Sequence, residues 1–270
     1  MMSQGTSVRP SAEPLSDGAS VPALRRAVRI LDMIAETGET PTAAEIGRRL
    51  GLPKSTAHGL LGVMIELNLL SKTRDGSLAV GAHVMKWSAG FLAKSDMTAE
   101  FQRHFIDEPA LRRFTVTLSV LDGREVVYLS CRNSDRPLGF TFQTGMRLPA
   151  VYTATGKALL SGLADSELDG LFANAWPAPL TERGVRSMTE LRAEFRAMRS
   201  RGYSIDDGQI REGMVCVGSA IRGHNNLFAG GIAISLMESE ATPDTIAQTG
   251  EALRQSANAI SEKLGAHDRA

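Results

Sequence analysis

Residues 42–67, TAAEIGRRLGLPKSTAHGLLGVMIEL, limit what this chain can fold into more than any other stretch. Two short runs of helical periodicity flank the break Gly51-Leu52-Pro53. Thr42 and Glu45 have the spacing of a capping box, so the first helix starts at Ala43, with Ala44, Ile46 and Leu50 as its apolar stripe. Gly51 suits a left-handed helix end and Pro53 the first turn of the next helix. That helix opens on Lys54, Ser55, Thr56 and His58 and has Leu60, Leu61, Met64, Ile65 and Leu67 as its apolar side. Short polar and basic side chains at the start of a second helix, after a tight turn, are what a helix-turn-helix presents to base edges. An ordinary αα-hairpin in a helical core gives the same local pattern, so the flanks decide.

Upstream, Leu24, Ala27, Val28, Leu31, Ile34 and Ala35 recur at helical spacing, which predicts a helix from near Pro22 to near Gly38. Arg25, Arg26 and Arg29 lie off that stripe and are placed to meet phosphates. Downstream, Leu69 to Lys72 and Leu78 to Val80 read as short strands around Arg74-Asp75-Gly76-Ser77, since Asp-Gly is a strong hairpin signal. Three helices followed by a small hairpin make a winged helix-turn-helix, and this order favours DNA binding. Helix N-terminal amides and Ser/Thr hydroxyls hold phosphates, so Thr42, Ser55 and Thr56 are candidates. Lys54 suits a phosphate or a guanine edge, His58 the bases one turn further in, and Arg74 a minor groove.

Charge supports this only weakly. Residues 23–80 carry eight basic and six acidic residues, the part after Lys94 nineteen and twenty-two, and the whole chain has a formal net charge of zero. No apolar run reaches a membrane span. Residues 1–21 are rich in Ser, Gly and Pro, lack an apolar stretch and read as a disordered tail, not a signal peptide. Cys131 and Cys216 make no disulfide framework, so the default location is cytoplasmic.

The remaining chain mixes strands and helices. Residues 81–95 read as a linker helix with Val84, Trp87, Phe91 and Leu92 on one side, and 97–114 as a further helical segment carrying Phe101, Phe105, Ile106 and Leu111. Residues 115–131 are two β-rich runs around Asp122-Gly123, a hairpin, and 139–144 a further strand. An amphipathic helix follows over 156–163, then helices near 166–173 and 189–202. Strands return around 203–205, 215–221 and 228–236, and a last helix carries Ile246, Leu253, Ile260 and Leu264 on one side. This order predicts an α+β domain on one antiparallel sheet.

Three chemical readings fail or carry little. Thr155-Gly156-Lys157 is not a P-loop, which needs Gly at Val151 and Ser or Thr at Ala158. Cys216, His224 and Asp206 supply the residue types of a Cys-His-Asp set or a metal site, but no local signature supports either. No catalytic residue, metal or cofactor is expected. A metabolite-binding protein without a DNA role, or a Cys-dependent enzyme, stands as the alternative.

The chain resembles the isocitrate-lyase-regulator (IclR) family of bacterial transcription factors. The resemblance is carried by Ala44-Glu45-Ile46, by Gly51 to His58, and by Leu60-Leu61, with Gly59 where such proteins usually have Arg. It continues in Leu118 to Gly123, Val126 to Leu129, Gly145 to Pro149, Thr153 to Leu160, Arg199 to Tyr203, Asp206-Asp207 and Gly213 to Val217. It implies a winged helix-turn-helix over 22–81, a linker helix over 82–95 and a GAF-like effector domain over 96–265. It further implies a homodimer or dimer of dimers on operator DNA, regulated by a small organic acid. Its ligand pocket maps onto Ala154 and Thr155, with Asp206, Cys216 and Ser235 as polar groups and Phe140, Leu148 and Met214 as apolar walls. Gln209 stands where a Glu is usual, and Gly218-Ser219-Ala220 replaces a more typical Ala-Ala-Pro beside that pocket.

Overall fold

The computed structural model describes residues 21–92, 97–106, 108, 111–134, 141–173 and 176–266. The expected tail therefore falls outside the described residues, apart from Val21. The chain forms two compact units that divide between residues 95 and 96.

In the first unit, α1 spans Pro22–Thr37, α2 Ala43–Arg49 and α3 Lys54–Glu66. Strands β1 (Leu70–Lys72) and β2 (Leu78–Val80) pair antiparallel, with Leu70 opposite Val80, and α4 (His83–Leu92) closes the unit. The core joins Ile30 and Ile34 of α1, Ile46 of α2, Leu61 and Met64 of α3, and Leu70 and Leu78 of the hairpin. The expected α1 stripe is partly wrong: Leu24 and Val28 are 64% and 48% exposed, and Ile30 takes the core place. The α1 face that turns inward is rotated from the apolar count: it is centred on Ile30 and Ile34, with Ala27, Leu31 and Met33 partly buried beside them. On α4, Trp87 is exposed and its ring meets His83 edge-on at 4.9 Å.

In the second unit, α5 (Met97–Ile106) precedes β3 (Thr115–Asp122) and β4 (Glu125–Arg132), which form the expected hairpin, with Gly123 in its turn at φ +59°. There follow β5 (Arg147–Pro149), α6 (Ala154–Leu160), α7 (Asp165–Phe172), α8 (Met188–Arg201), β6 (Ser204–Asp207), β7 (Met214–Arg222), β8 (Phe228–Met237) and α9 (Pro243–Lys263). All six strands pair antiparallel in the order β5-β4-β3-β8-β7-β6. One face packs on α5 and α9 through Phe101, Phe105, Val217, Ile232, Leu253 and Ile260. The other packs on α6, α7 and α8 through Tyr128, Leu160, Phe172, Leu191, Phe195 and Met214. The sheet is thus buried on both faces, and the architecture is α+β with one antiparallel sheet between two helical layers.

Three further expectations need correction. The helix after residue 97 stops at Ile106, which is 70% exposed. No strand forms over 141–144, residues 139–140 lie outside the described residues, and the edge strand is β5. The helix expected over 156–163 is α6 over Ala154–Leu160, and it is buried on every side rather than amphipathic, since it is clasped between the sheet and α8. No described helix is long and apolar enough to cross a membrane.

Candidate functional site

The helix-turn-helix is assembled by its ends. The Thr42 hydroxyl accepts from the Glu45 amide at 3.3 Å, and the Glu45 carboxylate accepts from the Thr42 amide at 2.8 Å, completing the capping box. At the other end of α2, Gly51 sits at φ +62°, and the Leu52 amide donates to Gly47 O at 2.8 Å while the Gly51 amide donates to Arg48 O at 3.3 Å. This is a Schellman end, and only glycine adopts that φ without strain. Pro53, expected inside the helix, is instead the residue before it, with φ −56° and ψ 142°. No side chain caps α3, so the amides of its first turn have no side-chain acceptor. Lys54, Ser55 and His58 on that turn are exposed and Thr56 is half-buried, while Ala57, Leu61 and Met64 face the core.

The hairpin tip is braced from within. Thr73 and Ser77 close it through Thr73 N–H to Ser77 O at 2.9 Å, and the Asp75 carboxylate accepts from the hydroxyls of both Thr73 and Ser77. Those hydroxyl bonds, with the Ser77 amide, hold Asp75 down at a pKa of about 2. Arg74, exposed, projects from this loop without an ion pair among the described residues. The expected turn over Arg74 to Ser77 forms within a loop that also takes in Thr73, where Asp75 accepts from Thr73 and Ser77. Arg25 and Arg26 are half-buried and Arg29 is exposed.

In the second unit a small cavity lies between the α6 start and strands β3, β4, β6, β7 and β8. Ala154, Thr155, Asp206, Cys216 and Ser235 all line it, with Thr117, Tyr128, Phe142, Thr153, Ile210 and Ala233. Its free volume is about 10 Å³, room for roughly one water. Asp206 and Cys216 are cross-strand partners, as are Cys216 and Ser235, so three strands bring these side chains to one face. Of the other expected members, Leu148 and Met214 are buried in the same apolar cluster without lining the cavity, and Phe140 lies outside the described residues. Phe142 supplies an aromatic wall beside Tyr128, with ring centres 5.2 Å apart.

Asp206 is fully buried. Its Oδ1 accepts from the amides of Gln209 at 2.7 Å and Ile210 at 3.3 Å, whereas Oδ2 is buried with no hydrogen-bond partner. Burial pushes its pKa up to about 6, against the opposing pull of the Lys157 ammonium, the two amides and, least, the Cys216 thiol. The Cys216 thiol is pushed well above its ordinary value, by burial and then by the Asp206 charge, and it meets the Ser235 hydroxyl at 3.2 Å. A thiol held neutral is a poor nucleophile. His224 is exposed in the turn beyond β7, away from buried Cys216, so the Cys-His-Asp set does not assemble. No group of three metal-ligating side chains occurs among the described residues.

Sequence reasoning missed Lys157. It is 1% exposed, pairs with Glu194 of α8 and donates to Ile205 O at 3.0 Å, while Gln209 Nε2 donates to Glu194 at 2.7 Å. The residues come from α6, α8, β6 and the loop after it, so no local spacing announces them. Gly218 is likewise structural: a Cβ there would stand 2.7 Å from the Ala154 carbonyl carbon, so glycine permits α6 to lie on β7. Gly218 lies beside the small cavity as expected, packed on Ala154, and Gly218-Ser219-Ala220 also line a separate, larger cleft toward the end of α6.

A winged helix-turn-helix joined to a sheet domain with a polar, partly unsatisfied cavity is the architecture of a DNA-binding regulator. Residues 23–74 match the IclR helix-turn-helix domain, and residues 96–262 match the C-terminal domain of the bacterial transcriptional regulator IclR. The chain belongs to the IclR family of DNA-binding transcriptional regulators. It is 28% identical to the acetate operon repressor of Salmonella typhimurium over 95% of both chains. It is 54% identical to the Agobacterium tumefaciens repressor BlcR, whose crystal structure it matches with a TM-score of 0.62 over 92% of this chain and 99% of that one. An IclR homolog from Microbacterium hydrocarbonoxydans, crystallised with 4-hydroxybenzoate, is 23% identical with a TM-score of 0.75 over 90% and 98% of the two chains, a likeness of fold.

Proposed function

We propose that the chain is a cytoplasmic repressor of a catabolic operon, released or recruited by a small carboxylate-bearing metabolite held in the Asp206 cavity. Residues 22–81 hold the operator, residues 82–95 link the domains, and residues 96–265 sense the effector. Relatives that bear the word repressor in their names support the direction of control. In the DNA-binding unit, α3 enters the major groove, with Lys54, Ser55, Thr56 and His58 at phosphates and base edges. Thr42 meets the backbone and Arg74 the adjacent minor groove. A homodimer, or a dimer of dimers, sets two such helices on successive turns of a near-palindromic site.

The sensing half rests on one observation above others, the buried Asp206 Oδ2 without a partner. An orphaned buried acceptor costs about 1–3 kcal/mol, so a ligand that satisfies it is bound in preference to none. A carboxylate meets this need when Asp206 keeps its proton and donates through Oδ2, the two carboxyl groups sharing one proton. The hydroxyls of Thr155 and Ser235 then receive the remaining ligand oxygens. The 4-hydroxybenzoate carried by one family member is an acid of this class. A cavity of about 10 Å³ must widen to admit it, so the effector selects an open form of the domain and shifts the operator-binding equilibrium by its differential affinity.

The DNA-binding half is tested by fluorescence anisotropy on operator DNA with Lys54→Ala/Thr56→Ala. The double variant keeps the melting temperature, weakens operator binding at least about tenfold and lowers the salt slope by about one. Unchanged affinity and slope overturn the assignment of α3 as recognition helix.

A further inference from the structure

Toward the C-terminal end of α6, beyond the Asp206 cavity at its start, lies a cleft of about 450 Å³. That is within the span of small-molecule sites, roughly 300–1,000 Å³, and far more than an inorganic ion fills. Three arginines reach it from three elements: Arg199 near the end of α8, Arg222 at the end of β7, and Arg254 on α9. No carboxylate lines it among the described residues. Only Arg254 is neutralised, by a two-pronged pair with Glu251 at 2.7 and 2.9 Å. Arg222 spends one nitrogen on Asn226 O at 2.8 Å and lies 4.4 Å above the Phe228 ring, which fixes the plane of its fork. Arg199 is exposed and has no ion pair among the described residues.

Two guanidinium groups therefore face a half-enclosed space with no counter-charge. The remainder of the lining carries no charge and is apolar, small or, at Asn226 and Asn258, amide. Tyr203 and Phe228 form walls, and the methyl of Ala158 and the bare backbone of Gly218 leave the volume open. A Cβ on Gly162 would stand 2.2 Å from the Phe228 ring, so glycine there is what seats that wall.

We propose that this cleft is a second ligand site, taking a phosphomonoester with a small organic body. Guanidinium forks pair with phosphate oxygens in two-pronged geometry, and a dianion matches the two cations left without a carboxylate. The organic body fills the space against Tyr203 and Phe228. The cleft shares α6 and β7 with the Asp206 cavity, Ala158 lying one turn beyond Ala154 and Gly218 two residues beyond Cys216. A ligand here presses on the same two elements that frame the effector, which suits a co-regulator. The site does not depend on the nature of the effector.

The test is calorimetric titration of the full chain with phenyl phosphate, with benzyl alcohol as the uncharged probe. Phenyl phosphate binds saturably and more weakly as salt is raised. Arg199→Ala, which removes an exposed side chain and leaves the fold intact, weakens it about tenfold or more. Arg222→Lys, which keeps the charge and loses the fork, weakens it as well, and Ser235→Ala in the other cavity leaves it unchanged. Absence of saturation up to about 10 mM, equal binding of benzyl alcohol, wild-type affinity in both arginine variants, or a loss confined to Ser235→Ala overturns the proposal.

Discussion

Replacing Asp206 by Asn stabilises the protein at alkaline pH, although it alters the buried carboxylate of the cavity. An aspartate moved from its ordinary 3.8 to about 6 carries a charge that the fold disfavours by roughly 3 kcal/mol. Below about pH 4 the group is protonated in both folded and unfolded chains and costs nothing. As pH rises, the unfolded chain ionises first, so the stability tied to the retained proton is lost between about pH 4 and pH 6 and stays lost above. The amide introduced by Asp206→Asn keeps a carbonyl oxygen for the Gln209 and Ile210 N–H groups and carries no charge. Its nitrogen inherits the position of unpartnered Oδ2, which trims the gain to about 2 kcal/mol. That is some 4–8 °C in melting temperature for a domain of this size. The assay is urea unfolding of wild type and variant across about pH 4 to 8. At the acid end the variant is the less stable by about 1 kcal/mol, and the difference swings by roughly 3 kcal/mol to its plateau above pH 6, while other titrating groups cancel. A variant less stable than wild type at pH 8, or a difference flat with pH, refutes the reasoning.

Gly59 and Gly62 have nothing within 4 Å of where a Cβ would stand, so Gly59→Ala raises stability by up to about 1 kcal/mol in thermal or chemical melts and leaves operator affinity unchanged. Asp75→Ala unties the hairpin tip that displays Arg74; operator affinity falls about fivefold or less, with the salt slope preserved, in a filter-binding titration. Lys157→Met leaves Glu194 without its cation, with only the Gln209 amide still donating to it, and Asp206 without the opposing charge, which destabilises the second unit by about 2–4 kcal/mol and moves the Asp206 titration upward when followed by carboxyl NMR.

What the sequence reveals is local. The capping box at Thr42 and Glu45, the left-handed Gly51 and the two hairpins depend on residues a few positions apart, and each forms where spacing places it. Asp206 and Cys216 come together as the resemblance implies, a pairing that strand periodicity alone does not supply. What stays hidden depends on distant partners. Lys157 enters the sequence reading only through the failed P-loop pattern, because its partner Glu194 comes from α8, and Leu24 and Val28 read as core until the three-helix unit packs on the neighbouring face of α1. Ile106 is exposed for the same reason, since α5 ends before a partner covers it. That Gly218-Ser219-Ala220 also line a second cleft is not legible, because its other walls come from α6, α8 and α9.

The central claim is that occupancy of the Asp206 cavity controls operator binding. The most direct measurement is the operator affinity of the full chain with and without 4-hydroxybenzoate and a panel of short aliphatic hydroxy acids, at about pH 6 and pH 8, for wild type and Ser235→Ala. The account predicts that at least one acid changes operator affinity several-fold, more strongly at the lower pH, and that Ser235→Ala blunts the response while binding the operator normally without ligand. An acid that shifts operator affinity equally in both proteins, or a response that strengthens toward pH 8, contradicts it.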